Sequence, residues 1–368
     1  MLPDDGRLAT KRMRIAITVD PEIPVPPKLY GGVERVVSML VRNLVARGHE
    51  VTLFAHRDSQ VPCRLLPYPA ERSAGATNIV RNLRHVAREL RKGGYDLVHS
   101  FGRLVYLLPV LPLRLPKIMS YQRTITPRSI VAGELLSRGS LHFTACGRHM
   151  IDRWEGDGKW HVVHNGVPVD TYRPIYHIPA DAPLAYLGRI ERIKGVHLAI
   201  EVGKRSGRRL RIAGNVSPGA EHQQYFQQEI QPHLGSDVEY LGPLDDRGKN
   251  EFLGSSWALL MPILWEEPFG IVMAEALACG TPIIGLHRGS VPEIVQGGVN
   301  GFVCASVEEM AAAVARISAI DRRACRAVCE RRFSDEAITQ AYLDLYSAVI
   351  ESGANAVRLQ GDRVCGSV

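Results

Sequence analysis

No apolar run in this chain approaches the ~18–20 residues that span a bilayer. The longest, Leu104 to Leu113, is cut by Pro109 and Pro112. The opening residues Met1, Leu2, Pro3, Asp4 and Asp5 lack the basic-then-apolar pattern of a secretory signal, so a cytosolic protein is expected. The seven cysteines (63, 146, 279, 304, 325, 329 and 365) are scattered, and none forms a Cys-x-x-Cys pair. That excludes a disulfide framework and the commonest zinc-site spacing. Cys325 and Cys329 share a helix face with no histidine beside them and are read as buried apolar residues. The basic residues are not interleaved with an aromatic platform, and no recognised nucleic-acid module is present, so nucleic acid is not an expected partner.

What remains is the composition of a soluble globular protein, 45% hydrophobic and 23% charged over 368 residues, enough for two domains with separate cores. The charge is uneven. Residues 1–170 carry 25 basic and 15 acidic side chains; the remainder carries 20 and 23. A basic first half implies an anionic partner, such as a phospholipid surface or a lipid-linked acceptor. Within it, Asn78 to Lys92 reads as a basic amphipathic helix. Its stripe of Ile79, Leu83, Val86 and Leu90 is expected to pack on a sheet, leaving the basic face free to meet an anionic membrane peripherally.

The order of elements is α/β. Short apolar runs predict strands at Arg14–Val19, Glu50–Ala55, Asp96–His99, Lys117–Tyr121, His142–Ala145 and His161–Val163. Val33 to Arg47 repeats apolar residues at helical spacing and ends at Gly48. The pattern then restarts, with strands at Pro183–Gly188, Arg208–Ala213, Val238–Gly242, Ala258–Met261 and Pro282–Gly285, and a helix at Val196–Arg205. Two doubly wound parallel sheets facing a cleft are predicted. The boundaries are a flexible leader 1–12, a first domain 13–168, a second domain 169–352 whose last helix can cross back to the first, and a disordered tail 353–368. The Pro-containing stretch 166–182 is expected to act as the hinge.

Two motifs in the second half carry chemistry. Glu267-Pro-Phe-Gly270 is a turn sequence that opens a helix, Ile271 to Ala278, holding a second carboxylate at Glu275. A helix start offers free N–H groups and a positive dipole end to a phosphate. The two carboxylates can accept hydrogen bonds from hydroxyl pairs on either side of it, which describes a nucleotide sugar. The rival reading, a glycoside hydrolase acid/base pair, needs carboxyls about 5–10 Å apart, whereas eight residues of helix rise about 12 Å. Upstream, Gly188-Arg189 to Lys194-Gly195 sits between a strand and a helix. Arg189 and Lys194 there can converge on the ligand side of the sheet and stabilise a diphosphate leaving group.

With Tyr30-Gly-Gly-Val-Glu-Arg35, Arg47-Gly-His-Glu-Val-Thr-Leu53, His164-Asn-Gly-Val167, Glu275-Ala-Leu-Ala-Cys-Gly-Thr-Pro-Ile283, Gly289-Ser-Val-Pro-Glu293 and Asn300-Gly-Phe302, these motifs resemble the family-4 retaining glycosyltransferases of GT-B fold, over about residues 13–352. The resemblance implies that Glu267 contacts donor-sugar hydroxyls and Glu275 the ribose diol. It implies that Arg189, Lys194 and the N–H groups around Phe269, Gly270 and Ile271 neutralise the diphosphate, and that Gly31 and Gly32 let backbone approach phosphate and acceptor. The implied reaction moves a hexose or hexosamine, from a UDP-linked donor foremost, to a glycan, lipid-linked or small-molecule acceptor with retention. No cofactor and no metal are expected, and no Asp-x-Asp motif is present. Many members place a histidine after the strand near 117–121; this chain has Gln122 and Arg123, which become candidate sugar or acceptor contacts together with His99. Base recognition is expected from backbone groups around Leu241-Gly-Pro243. The alternatives are a nucleotide-sugar epimerase on the same plan and a non-catalytic sugar-nucleotide-binding protein.

Overall fold

The computed structural model describes residues 11–27, 31–152 and 159–365; residues 1–10 of the expected leader and 366–368 of the expected tail lie outside them. The first domain is a seven-stranded parallel sheet built from β1 (Arg14–Thr18), β2 (Glu50–Ala55), β3 (Arg64–Pro67), β4 (Leu97–Ser100), β5 (Lys117–Tyr121), β6 (Leu141–Ala145) and β7 (Trp160–Val162). Their spatial order is β3-β2-β1-β4-β5-β6-β7, so the winding reverses between β1 and β4. Ile15, Ala16 and Ile17 of β1 are fully buried, because helices cover both faces. On one face lie α1 (Gly32–Ala46) and the C-terminal helix; on the other lie α2 (Ala76–Arg91), a 3-10 helix at Leu104–Val110, and α3 (Pro127–Ser137). Val86 and Leu90 of α2 are buried in that second layer, so its apolar stripe packs on the sheet.

The second domain repeats the plan with six parallel strands: β8 (Leu184–Leu187), β9 (Leu210–Ala213), β10 (Val238–Tyr240), β11 (Leu259–Met261), β12 (Ile283–Leu286) and β13 (Gly301–Cys304), in the order β10-β9-β8-β11-β12-β13. Here the winding reverses between β8 and β11. Its helices are α4 (Val196–Ser206), α5 (Ala220–Tyr225), α6 (Asp246–Gly254), α7 (Ile271–Ala278), α8 (Val291–Ile294), α9 (Val307–Arg316), α10 (Arg322–Phe333) and α11 (Asp335–Cys365). Cys325 and Cys329 are buried within α10. Two strands, β3 and β13, lie outside the sequence expectation, while the expected ones fall within one or two residues of their predicted bounds.

The chain passes between the domains twice. Val167 pairs with Ser334, through Val167 N–H to Phe333 O (2.9 Å) and Asp335 N–H to Val167 O (3.0 Å). From there α11 runs back over the first sheet, burying Ile338, Tyr342, Leu345, Tyr346 and Val349 beside α1. The helix assignment continues to Cys365, within the expected tail. After Gly353 the sequence has no proline and is rich in helix formers (Ala354, Ala356, Arg358, Leu359, Gln360), so a helix already nucleated by packing propagates. No helix among the described residues is long and apolar enough to cross a membrane.

His99 departs from its expected place at the cleft. It ends β4, but α11 covers that end and His99 is fully buried. One ring nitrogen bonds Tyr346 Oη and the other Ser120 Oγ, each at 2.6 Å, and the ring packs on Phe101 and Tyr342. With both nitrogens committed, His99 fastens α11 to the sheet and cannot touch a sugar or acceptor. Desolvation lowers its pKa from 6.5 to about 3. A base with a depressed folded pKa adds stability that is complete above 6.5 and is lost as pH falls toward 3, because only the unfolded chain takes up the proton. Between about pH 7 and about pH 5 the wild type should therefore lose roughly 2 kcal/mol more stability than His99→Gln, read from urea midpoints. Equal pH slopes for the two proteins would remove His99 from this role.

Candidate active site

The carboxyl ends of both sheets face one cavity of about 390 Å³. Its walls follow the two reversal points, as expected for open parallel sheets. Gly188 and Arg189 follow β8, and Pro262 and Ile263 follow β11; from the first domain come Gly32 and Val33 at the start of α1, and Gln122 and Arg123 after β5.

Two helix starts meet in this cavity. α7 begins after Gly270, held in a left-handed conformation (φ 72°), and no side chain caps its first turn. α1 begins after Gly31, also uncapped, and a Cβ added to Gly32 would sit 3.5 Å from Ile271 Cδ1. Uncapped N–H groups on both walls make the space between them favourable for an anion. The turn bearing Glu267 is clamped from behind: Ser290 donates its N–H to Glu267 O (3.0 Å) and its hydroxyl to Phe269 O (2.6 Å). Gly289 permits that approach, since a Cβ there would lie 2.4 Å from Glu267 N. Phe269 itself is buried against His164 and Phe333, so it offers the cleft its backbone.

The charged groups are ordered by one another. Glu267 Oε2 pairs with Lys194 Nζ and accepts from Trp265 Nε1 at 3.0 Å, while the ammonium lies 4.7 Å from the Trp265 ring centroid. Arg189 pairs with the buried Glu191, which Ser217 Oγ also contacts at 2.6 Å. Both cations line the cavity. Glu275 lies one turn beyond Ile271 and Val272 and is 3% exposed. Its Oε1 accepts from Tyr172 Oη and from Lys249 Nζ, each at 2.9 Å; its Oε2 is buried with no hydrogen-bond partner. Glu275 is not itself in the cavity wall: its unsatisfied oxygen lies behind Ile271 and Val272, which are.

Gln122 and Arg123 also reach the cavity. Gln122 Oε1 accepts from Asn165 Nδ2 at 2.7 Å, and Arg123 pairs with Asp20 at 2.8 Å. Asn165 Oδ1 is a second buried acceptor without a partner, in the cavity wall. Leu241 to Pro243 sits at the end of β10 rather than in the lining described above; Gly242 O accepts from Gly214 N–H at 2.8 Å.

Sequence reasoning did not find the pairs that cross the domains. Arg35 Nη1 of α1 lies 2.9 Å from both carboxylate oxygens of Asp246, which begins α6. Asp246 is 3.8 Å from Lys249, and Lys249 is the partner of Glu275, so one chain of charges links α1 to the buried carboxylate. On the other side His164 bonds Glu293 at 2.6 Å, and Arg148 N–H donates to the same carboxylate at 2.8 Å. Burial pushes the Glu293 pKa up, but the His164 and Arg148 bonds outweigh it and hold the carboxyl below its ordinary value. Motif order flagged His164 and Glu293 separately; nothing local could pair residues 129 positions apart.

The chain is similar to known proteins. A family model described as Glycosyl transferases group 1 matches residues 170–331, and one described as Glycosyltransferase Family 4 matches residues 30–171. Glycogen synthase of Mycobacterium tuberculosis is 32% identical over 84% of this chain and 88% of its own length. Spore coat protein SA of Bacillus subtilis is 22% identical over 79% of this chain and 85% of its own. Among solved structures, sucrose-phosphate synthase of Thermosynechococcus elongatus superposes with a TM-score of 0.74 at 21% identity, covering 93% of this chain and 100% of that one. Anabaena HepE, solved with UDP-glucose, gives 0.70 at 17% identity, covering 92% and 100%. This chain belongs to the group 1, family 4 glycosyltransferases, with the two-domain GT-B fold.

Proposed function

We propose that the chain moves a hexose or hexosamine from a nucleotide-sugar donor, UDP-linked, to an acceptor hydroxyl held by the first domain, with retention of configuration, on the cytoplasmic side. One observation carries the reading: Arg189, Lys194 and Glu267 converge where α7 starts, opposite the start of α1. Two cations beside uncapped N–H groups suit a diphosphate, and a carboxylate next to them suits sugar hydroxyls. The UDP-glucose complex of Anabaena HepE supports the choice of donor.

In this mechanism the acceptor oxygen approaches the face of the sugar carbon that the diphosphate leaves. The bond from that carbon to the phosphate oxygen breaks as the bond to the acceptor oxygen forms. The acceptor proton passes to the departing phosphate oxygen, so no protein base is required. Arg189 and Lys194 neutralise the leaving group in place of a divalent cation. Glu267 orients the sugar, and Glu275 receives the ribose diol on its free oxygen. The Arg35–Asp246 pair draws the first domain onto the donor domain next to that carboxylate.

Three outcomes are expected. Arg189→Ala should lower turnover by about 100-fold or more, the size of losing one electrostatic stabiliser, measured as release of nucleoside diphosphate. Near-normal turnover would remove its assigned role. Glu275→Ala should instead weaken donor binding in a thermal-shift titration, since ligand raises apparent stability by mass action. Arg35→Asp should reduce kcat/KM by up to about fivefold, in keeping with a half-exposed pair worth up to about 1 kcal/mol. Adding Asp246→Arg should restore most of the loss, and a swap that restores nothing would contradict the closing role.

A further inference from the structure

Among the described residues, the exposed large apolar side chains gather on one outer layer. Five of the nine (Val80, Leu108, Val131, Leu135 and Leu136) lie on α2, the 104–110 helix or α3. α3 buries Ile130, Gly133 and Ser137 and turns the opposite side to solvent, with Val131 60% and Leu135 79% exposed. Arg128, Val131, Leu135 and Arg138 follow one another at steps of three and four residues, so they form a single stripe on that side. The centre of the stripe is apolar and an arginine stands at each end.

The same layer is basic. Its three segments, 76–91, 104–110 and 127–138, contain six Arg against two Glu, a net +4, out of +7 for the whole chain. This concentration decides the occupant. Two copies meeting through this face would oppose like charges. An anionic lipid surface accepts both features: the apolar centre enters the boundary of the acyl chains, and the flanking arginines reach the headgroup phosphates. α3 also starts at Pro127, four residues beyond Arg123 in the wall of the cleft.

We propose that the outer stripe of α3, with the basic layer around it, seats the enzyme on an anionic bilayer and presents the first-domain side of the cleft to a membrane-borne acceptor. The choice of acceptor rests on the glycosyl-transfer reading; the docking itself does not.

Flotation with vesicles of phosphatidylcholine alone, and with phosphatidylglycerol added, tests the docking without any substrate. The wild type should float with the anionic vesicles only, and added salt should release it. Leu135→Glu should lower partitioning at least about tenfold, and Arg128→Ala or Arg138→Ala about fivefold each. Val299→Glu, at an apolar position of the second domain that is 42% exposed, should leave partitioning unchanged. Circular dichroism and donor-induced thermal shift, taken without vesicles, establish that each variant is folded. Failure of the wild type to float, or unchanged flotation of Leu135→Glu, would overturn the docking while donor binding still stood. A concentration-dependent dimer abolished by Leu135→Glu would also overturn it, assigning the stripe to a second copy.

Discussion

Everything in the cleft depends on the double crossing of the backbone at Val167 and Ser334. A single linker would leave two sheets free to turn relative to one another. Here two chain segments pass side by side, locked by a pair of backbone hydrogen bonds, and the second continues into a helix buried on the opposite domain. Gly166 lies so close to the second segment that an added Cβ would meet Phe333 O at 2.8 Å. The His99–Tyr346 bond then secures the far end of the contact, where α11 lies over β4. The crossing fixes which ends of the sheets face each other, and the ion pairs Arg35–Asp246 and His164–Glu293 govern how closely they approach.

Within that frame the site stores its charges as partners of one another. Lys194 is held by Glu267, Arg189 by Glu191, and Lys249 by Glu275. A charge withdrawn from water is costly unless paired, and each of these groups has a counter-ion in place. On the proposed reading a donor brings its own diphosphate and hydroxyls and exchanges them for these contacts. The geometry required for binding is thus present before the ligand arrives.

Much of this was legible in the sequence because doubly buried parallel strands leave continuous apolar runs. Ile15 to Thr18 and Leu259 to Met261 are buried throughout and read clearly. β3 did not: Arg64-Leu-Leu-Pro67 is an edge strand, partly exposed and ended by proline, without a run or an alternation. β13 is four residues beginning at a glycine. Lys117 opens β5 fully buried, its ammonium donating to Leu113 O and Leu115 O at 2.7 Å and to Ser140 Oγ at 2.8 Å, a burial that no polarity pattern announces. For the site, local motifs located Arg189, Lys194, Glu267 and the start of α7. They misplaced His99, because a strand end looks the same whether a cleft or a distant helix covers it. They gave no sign of Arg35 with Asp246, which are 211 residues apart. Long-range charge pairs leave no trace in spacing, since only the completed fold brings them together.

The central claim is that this cleft recognises a diphosphate through paired cations beside two helix starts. Calorimetric titration of uridine diphosphate against uridine, in the wild type and in Lys194→Ala, tests it most directly. The account predicts that the wild type prefers the diphosphate strongly, and that Lys194→Ala loses about tenfold to hundredfold of that preference, the value of one buried charge-assisted contact. A Lys194→Ala protein that keeps the full preference for the diphosphate would contradict it.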